Sequence, residues 1–158
     1  VSVESARPAT SADRRRVAEL VAAARAEILD QRGGSLHLLR DVRALEDDDA
    51  LLEEAECVVV GEYDDVVVGY AALHVERLSD GTDLAVIDDI YVEPDAREVG
   101  VGDVVMRAVL DWCRARHCRG VDAVALPGNR AIKNFFERFG LTARAIVVHR
   151  PLGGDNEQ

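Results

Sequence analysis

Arg97-Glu98-Val99-Gly100-Val101-Gly102 lies between a strand and a helix, and its reading decides the fold. Upstream, Ala85-Val-Ile-Asp-Asp-Ile-Tyr-Val92 reads as a strand that Glu93-Pro94-Asp95 ends. Downstream, Val101, Val104, Val105, Ala108, Val109 and Trp112 recur at helical spacing and form one apolar stripe. Gly100 and Gly102 therefore stand where the chain enters that helix. Without Cβ atoms they admit a ligand close to the backbone, and the first N–H groups of the helix point outward as anion donors. A diphosphate suits such a cradle. The alternative is a plain strand–turn–helix connection whose glycines only ease the turn.

The spacing excludes the better-known phosphate loops. A P-loop needs Gly-x-x-x-x-Gly-Lys-Ser/Thr, but Asp103 follows Gly102. A Rossmann fingerprint needs a third glycine where Val105 stands. What remains is Arg-x-x-Gly-x-Gly directly after a Val-x-Pro strand end.

The rest of the chain supplies a regular order. Ser5 to Pro8 reads as a first strand, and Thr10 with Asp13 three residues on resembles a capping-box helix start. Val17, Leu20, Val21, Ala24 and Ile28 continue that helix until Gln31-Arg-Gly-Gly34. Leu36 to Glu56 reads as helical but poorly patterned, with the acidic block Glu46-Asp-Asp-Asp49 inside it. Cys57–Tyr63 and Val66–Val75 read as strands of a hairpin turning at Asp64-Asp65, and Ser79-Asp-Gly81 turns into the strand ending at Val92. After the long helix come a strand over Gly120–Leu126, a helix from about Asn129 to Phe139, and a last strand over Ala143–Arg150. The expected order is β-α-α-β-β-β-α-β-α-β, an α/β chain forming one domain over 1–158 with its core in 5–150.

This order, the Arg97–Gly102 loop and the Asn129-Arg-Ala-Ile-Lys-Asn-Phe-Phe-Glu-Arg-Phe-Gly-Leu141 segment together resemble the GCN5-related N-acetyltransferases, the GNAT family. The second segment is similar to the family's Asn-x-x-Ala-x-x-aromatic-Tyr-x-x-x-Gly-Phe. The resemblance runs from Ala6 to about Arg150. It implies a mostly antiparallel central sheet with a splayed parallel pair at the cofactor cleft. It also implies acetyl-CoA as cosubstrate and direct acyl transfer to a primary amine. By the same resemblance, Ile90, Tyr91 and Val92 offer backbone to the pantetheine arm. Arg97, Glu98, Val99, Gly100, Val101, Gly102 and Asp103 surround the pyrophosphate. Asn129, Asn134, Phe135 and Phe136 border the arm and the thioester.

The chain departs from the pattern where chemistry is concerned. Ile132 replaces the usual Ala. Phe136 replaces the Tyr that often protonates the departing sulfur in the family, and Phe136 has no proton to give. A thiol with pKa about 8.5 leaves tolerably as thiolate, whereas general-acid help is typically worth about 10²–10⁴ in rate. Ile132, Phe135, Phe136 and Phe139 also make one apolar helix face, so Phe136 reads as a core residue whose side chain still borders the thioester.

A base is needed on the amine side, because an alkylammonium with pKa about 10.4 is almost wholly protonated at neutral pH. Asp88 and Asp89 interrupt an otherwise apolar strand, and burial there would raise their pKa values towards neutrality. Strict alternation places Asp88 with Ile90 and Val92 on one face and Asp89 with Tyr91 on the other. Asp88 is the preferred base or water relay, and Asp89 the second candidate. His37, His74, His117 and His149 are scattered without triad or metal spacing, so they read as surface or packing residues and no metal is expected. Tyr63, Tyr70 and Tyr91 are hydroxyls with no spacing argument behind them.

Composition limits the partners. The 158 residues carry a formal charge of −11, and Lys133 is the only lysine. A negative field disfavours nucleic acid and anionic membranes, and no run of apolar residues is long enough to span a bilayer. The first residues lack signal-peptide regions, and the odd set Cys57, Cys113 and Cys118 reads as reduced packing thiols, so a cytoplasmic location is expected. The expected partners are acetyl-CoA and an amine-bearing small molecule or peptide, with a homodimer allowed. Two rival readings share the fold: a CoA-binding sensor or interaction module without turnover, and an acetyltransferase toxin acting on charged tRNA, which the charge disfavours.

Overall fold

The computed structural model describes residues 3–40 and 50–153. Its strands are β1 (Glu4–Pro8), β2 (Cys57–Tyr63), β3 (Val66–Arg77), β4 (Asp83–Val92) and β5 (Gly120–Asp122). Its helices are α1 (Arg14–Leu29), α2 (Gly34–Arg40), α3 (Leu51–Glu54), α4 (Val101–Ala115) and α5 (Arg130–Arg138). The five strands form one mixed sheet in sequence order, antiparallel from β1 to β4 and parallel between β4 and β5. The acidic block at Glu46–Asp49 lies outside the described residues.

Local chemistry explains the turns and helix starts. The β2–β3 hairpin closes at Asp64-Asp65, both with positive φ (52° and 65°), as a two-residue turn matched to strand twist requires. At the entry to α1 a 3₁₀ turn (Ser11–Asp13) precedes the helix, and the Asp13 carboxylate accepts the Thr10 N–H at 2.8 Å. Arg7 of β1 donates two hydrogen bonds to the same carboxylate, at 2.8 and 2.9 Å, and holds its pKa down at about 2. Gly34 starts α2 so close to the end of α1 that a Cβ there would lie 1.8 Å from the Ile28 carbonyl oxygen. Only glycine fits at that approach.

Two apolar layers sandwich the sheet. On one face α4 buries Val101, Val105, Met106 and Val109 against Val59, Ala71, Leu73, Ala85, Ile87 and Val92. On the other, Val17, Leu20, Val21 and Ala24 of α1 pack on Val58, Val60, Tyr70 and Ala72. The stripe read from α4 is thus its core face.

Three expectations need correction. Leu36–Glu56 is not one helix: among the described residues α2 covers Gly34–Arg40, Ala50 is not helical, and α3 is a single turn. The strand expected over Gly120–Leu126 pairs only through Asp122, because β4 and β5 diverge after Val86. Ala143–Arg150 forms no strand. The segment is exposed throughout and makes no backbone hydrogen bond to another described residue, although its residue types favour extended structure.

Candidate active site

The divergence of β5 from β4 builds the site. The two strands pair only at Leu84–Gly120, Ala85–Val121 and Val86–Asp122. From Ile87 to Val92, β4 has β3 on one side and no β5 partner on the other. Backbone groups on that open edge are available to a ligand. The open edge leads to the first turn of α4.

At that turn Gly100 caps the helix in the left-handed region, φ 89°, where L side chains are strained. The Val104 N–H to Gly100 carbonyl bond is the first of the helix, so the N–H groups of Val101, Gly102 and Asp103 precede the helical ladder. Gly102 faces Phe135 of α5: a Cβ there would sit 3.2 Å from Cε1 of that ring. Glu98 and Val99 are exposed at the outer rim of the loop. Asp103 pairs with Arg138 at 3.2 Å.

Arg97 is a loop-positioning residue in this structure. Its Nε donates to the Val92 carbonyl at 2.8 Å, its Nη2 to Glu27 at 2.7 Å, and its guanidinium lies 5.4 Å from the centre of the Tyr91 ring. The strand end, the loop and α1 are thereby tied together. Asn129 caps α5 through its side-chain oxygen, which accepts the Ile132 N–H, and its amide nitrogen faces Gln31 at 3.4 Å. Glu27, Gln31, Arg32, Pro127, Gly128 and Asn129 line an open pocket of about 360 Å³ between the end of α1 and the start of α5. Asn134 is exposed on α5. Phe136 is 6% exposed and belongs to the α4-side core with Val92, while Phe135 is half-buried beside it.

The two aspartates do not alternate as the sequence suggests. Leu73 stands opposite Ile87 and Ala72 opposite Asp89, so Asp88 is an extra residue in β4, a β-bulge. The slip keeps Ile87 and Val92 on the α4 face and turns Asp89 and Tyr91 towards α1. Asp88 joins them there, because it bonds His74, which shares a face with Ala72. One bulged residue has put both carboxylates on one side of the sheet.

Their surroundings differ. Both Asp88 oxygens lie 2.8 Å from His74 Nδ1, and His74 Nε2 lies 2.9 Å from Glu76. Burial works against the His74 imidazolium, but the bonds to Asp88 and then Glu76 outweigh it and raise its pKa above the ordinary value. Asp89 is deeper, its side chain 2% exposed, and among the described residues no donor lies within 3.5 Å of its oxygens in hydrogen-bond geometry. Arg25 Nη2 stands 3.6 Å from Asp89. Loss of hydration raises the Asp89 pKa more than Arg25 lowers it. His74, read from the sequence as a surface or packing residue, and Arg25, which has no motif behind it, both reach the aspartates of the candidate site. Only the β3–β4 pairing and the docking of α1 bring them to the aspartates.

The family model described as the acetyltransferase (GNAT) family matches residues 18–141. The chain belongs to that family. Solved structures agree in fold. The BH1408 protein from Bacillus halodurans, as a tetramutant, superposes with a TM-score of 0.72 at 20% identity, covering 93% of this chain and 99% of that one. Ribosomal-protein-alanine N-acetyltransferase from Brucella melitensis biovar Abortus 2308 gives 0.70 at 17%, covering 95% and 99%. AAC(6')-Iy in complex with a bisubstrate analogue, CoA-S-monomethyl-acetylneamine, gives 0.69 at 17%, covering 97% and 100%. No curated protein matched the chain. Among the described residues no helix is long and apolar enough to cross a membrane, and no group of three or more potential ligand side chains is placed to hold a metal ion.

Proposed function

We propose that this protein transfers an acetyl group from acetyl-CoA to a primary amine by direct attack. The observation that carries the reading is the open β4 edge from Ile87 to Val92 running into the glycine-flanked start of α4. An extended amide-bearing arm matches the former and a diphosphate the latter. The N–H groups of Val101, Gly102 and Asp103 take the pyrophosphate, with Val99 and Gly100 shaping the approach. Ile90 and Val92, which alternate onto the open edge, offer backbone to the arm, with Tyr91 between them bonded to β3, and Asn129, Phe135 and Phe136 border its far side.

Asp88 accepts the proton of the incoming ammonium, directly or through one water, and His74 orients its carboxylate. Only the neutral amine attacks the thioester carbon; the C–N bond forms, the nitrogen gives up its second proton to water as the C–S bond breaks, and the sulfur leaves as a thiolate or takes up a proton from that water. Holding amine and thioester together supplies much of the rate. The carboxylates Asp88, Asp89 and Glu76 favour a cationic acceptor on the α1 side.

The test is a calorimetric titration with acetyl-CoA followed by turnover on a panel of amines. Binding with stoichiometric thiol release and N-acetylated product is the expected result. Binding without turnover on any amine supports the sensor reading instead. That reading has an observation of its own, since Phe136 removes the hydroxyl most suited to protonate the sulfur.

A further inference from the structure

Cys57, Cys113 and Cys118, scattered in the sequence, converge at the end of α4 remote from the glycine turn. The helix finishes in a Schellman motif: the Cys118 N–H donates to the Cys113 carbonyl at 3.1 Å, and the His117 N–H to the Arg114 carbonyl at 3.0 Å. His117 supplies the left-handed residue of that motif, φ 57°, where glycine is usual. An apolar contact between the first and last residues commonly completes the motif, and here those residues are Cys113 and Cys118. Both belong to the α4-side core, Cys113 buried and Cys118 half-buried. The backbone closure holds the two Cα atoms at roughly the 4.4–6.8 Å separation that a disulfide spans. Cys57 reaches the same place from β2, on the α4 face of the sheet, with the Glu56–Arg116 ion pair (3.6 Å) fixing the strand start beside the helix end. Burial, and after it the neighbouring sulfurs of Cys118 and Cys57, push the Cys113 thiol up to about 11.

We propose that Cys113 and Cys118 form a dithiol site that a hydroperoxide converts to a disulfide, with Cys57 left as a thiol. Cys118 meets the oxidant first, because it stands in a turn whose other residues, Arg116, His117 and Arg119, are exposed. Its sulfur, as thiolate, attacks a peroxide oxygen; the O–O bond breaks, leaving a sulfenic acid on Cys118 and an alcohol (water, from hydrogen peroxide) that takes up the thiol's proton. The Cys113 sulfur then attacks the Cys118 sulfur. The S–S bond forms, the S–O bond breaks, and the departing hydroxide leaves as water with the Cys113 proton. The two thiols lose two electrons and the peroxide gains them. Since Cys113 is a protonated thiol at neutral pH, the second step is the slower and the sulfenic acid accumulates before closure. The product staples the end of α4 to the chain two residues before β5. α4 is 15 residues, about 22 Å, long, so this chemistry is separate from the proposed acetyl-CoA site at its other end.

The test is peptide mass mapping of the full, reduced chain after treatment with hydrogen peroxide and alkylation of the remaining thiols. Trypsin cuts at Arg114 and Arg116, between the two cysteines, so their disulfide appears as two linked peptides that a reductant separates. The expected result is that linkage, with Cys57 alkylated, and a dimedone adduct on Cys118 at early times. The oxidised protein should melt on the order of 5 °C higher than the reduced, as a short closed loop allows. Cys118→Ser, a substitution in the exposed turn, should lose both the linkage and the rise in melting temperature while folding as the wild type does. Three alkylated thiols after peroxide would overturn the proposal, as would a disulfide that includes Cys57 or joins two chains. So would a first adduct on Cys113, or an oxidised form that melts no higher than the reduced one.

Discussion

Asp88 and His74 face each other across the β3–β4 pair at 2.8 Å, with Asp88 as the extra residue of a bulge. The bulge turns a residue that alternation assigns to the α4 core into one on the α1 face. There it joins Asp89, Glu76 and Arg25 as a set of ionisable groups over the open half of β4. A strictly alternating strand would have left Asp88 buried against α4 with no cation near it, at a cost of several kcal/mol. The slip therefore resolves an electrostatic problem and assembles the candidate acceptor site in one step.

The α4 entrance gives the most direct prediction. Gly102→Asp brings a Cβ within 3.2 Å of Phe135 and a negative charge to the first turn, where the proposed pyrophosphate docks. Gly100→Asp forces an L residue to φ 89°, costing roughly 1–2 kcal/mol of backbone strain besides the charge. Calorimetry should show acetyl-CoA binding weakened by about 100-fold or more in either variant. Unchanged affinity in a folded variant would remove CoA from this turn.

The sequence made legible what depends on local pattern. The α4 stripe, the Thr10–Asp13 start and the Asp64-Asp65 hairpin are each set by neighbours within a few residues. The bulge at Asp88 was not legible, because register is a property of two strands and a single extra residue leaves no mark in either alone. Arg25 has no mark in the sequence and His74 reads there as a surface or packing residue for the same reason: tertiary pairing, and no motif, brings them to the aspartates. Ala143–Arg150 reads as a strand because Ile146, Val147 and Val148 favour one, but propensity does not supply a partner.

Phe136→Tyr separates packing from catalysis. The ring is 6% exposed among Val92, Val105 and Met106, so an added hydroxyl meets apolar neighbours. Stability should fall by about 1–3 kcal/mol in denaturant titrations, with no gain in turnover per folded molecule. A stable variant with faster turnover would instead show that the hydroxyl reaches the sulfur and that Phe136 was limiting the rate.

The Arg7–Asp13 pair ties β1 to the start of α1 and should control acid stability. The Asp13 carboxyl is lowered from 3.8 to about 2 in the folded chain, chiefly by Arg7. Its contribution is present above the unfolded value and is lost as pH falls through about 2. Solvent around the half-exposed Arg7 reduces it to on the order of 1–2 kcal/mol. Asp13→Asn should therefore destabilise the protein at pH 6 and make little difference near pH 2. An equal loss at both would assign the effect to helix capping.

Asp89 has the opposite sign. Its pKa is raised by burial, so the folded chain holds the proton more tightly than the unfolded chain, and stability falls as pH rises from the unfolded value towards the raised one. Asp89→Asn should raise the melting temperature at pH 8 and give little change at pH 3, where both states of the wild type are protonated. A variant less stable than wild type at pH 8 would mean that the ion pair with Arg25 outweighs the cost of burying the charge.

The proposed base is tested by pH and by acceptor together. Asp88→Asn keeps an oxygen that can accept from His74 but removes the proton acceptor. Its kcat/KM should fall most near neutral pH and least near pH 9–10, where roughly a few per cent to a third of an amine with pKa about 10.4 is already neutral. An aromatic amine, neutral throughout, should be nearly indifferent. His74→Gln should shift the same profile with a smaller loss, because it disturbs only the orientation of the carboxylate. With a polycationic acceptor, added salt should raise KM by screening the acidic face. A loss equal at every pH, or a better rate with an anionic acceptor, would move the role to Asp89 or to a water held by the open edge of β4.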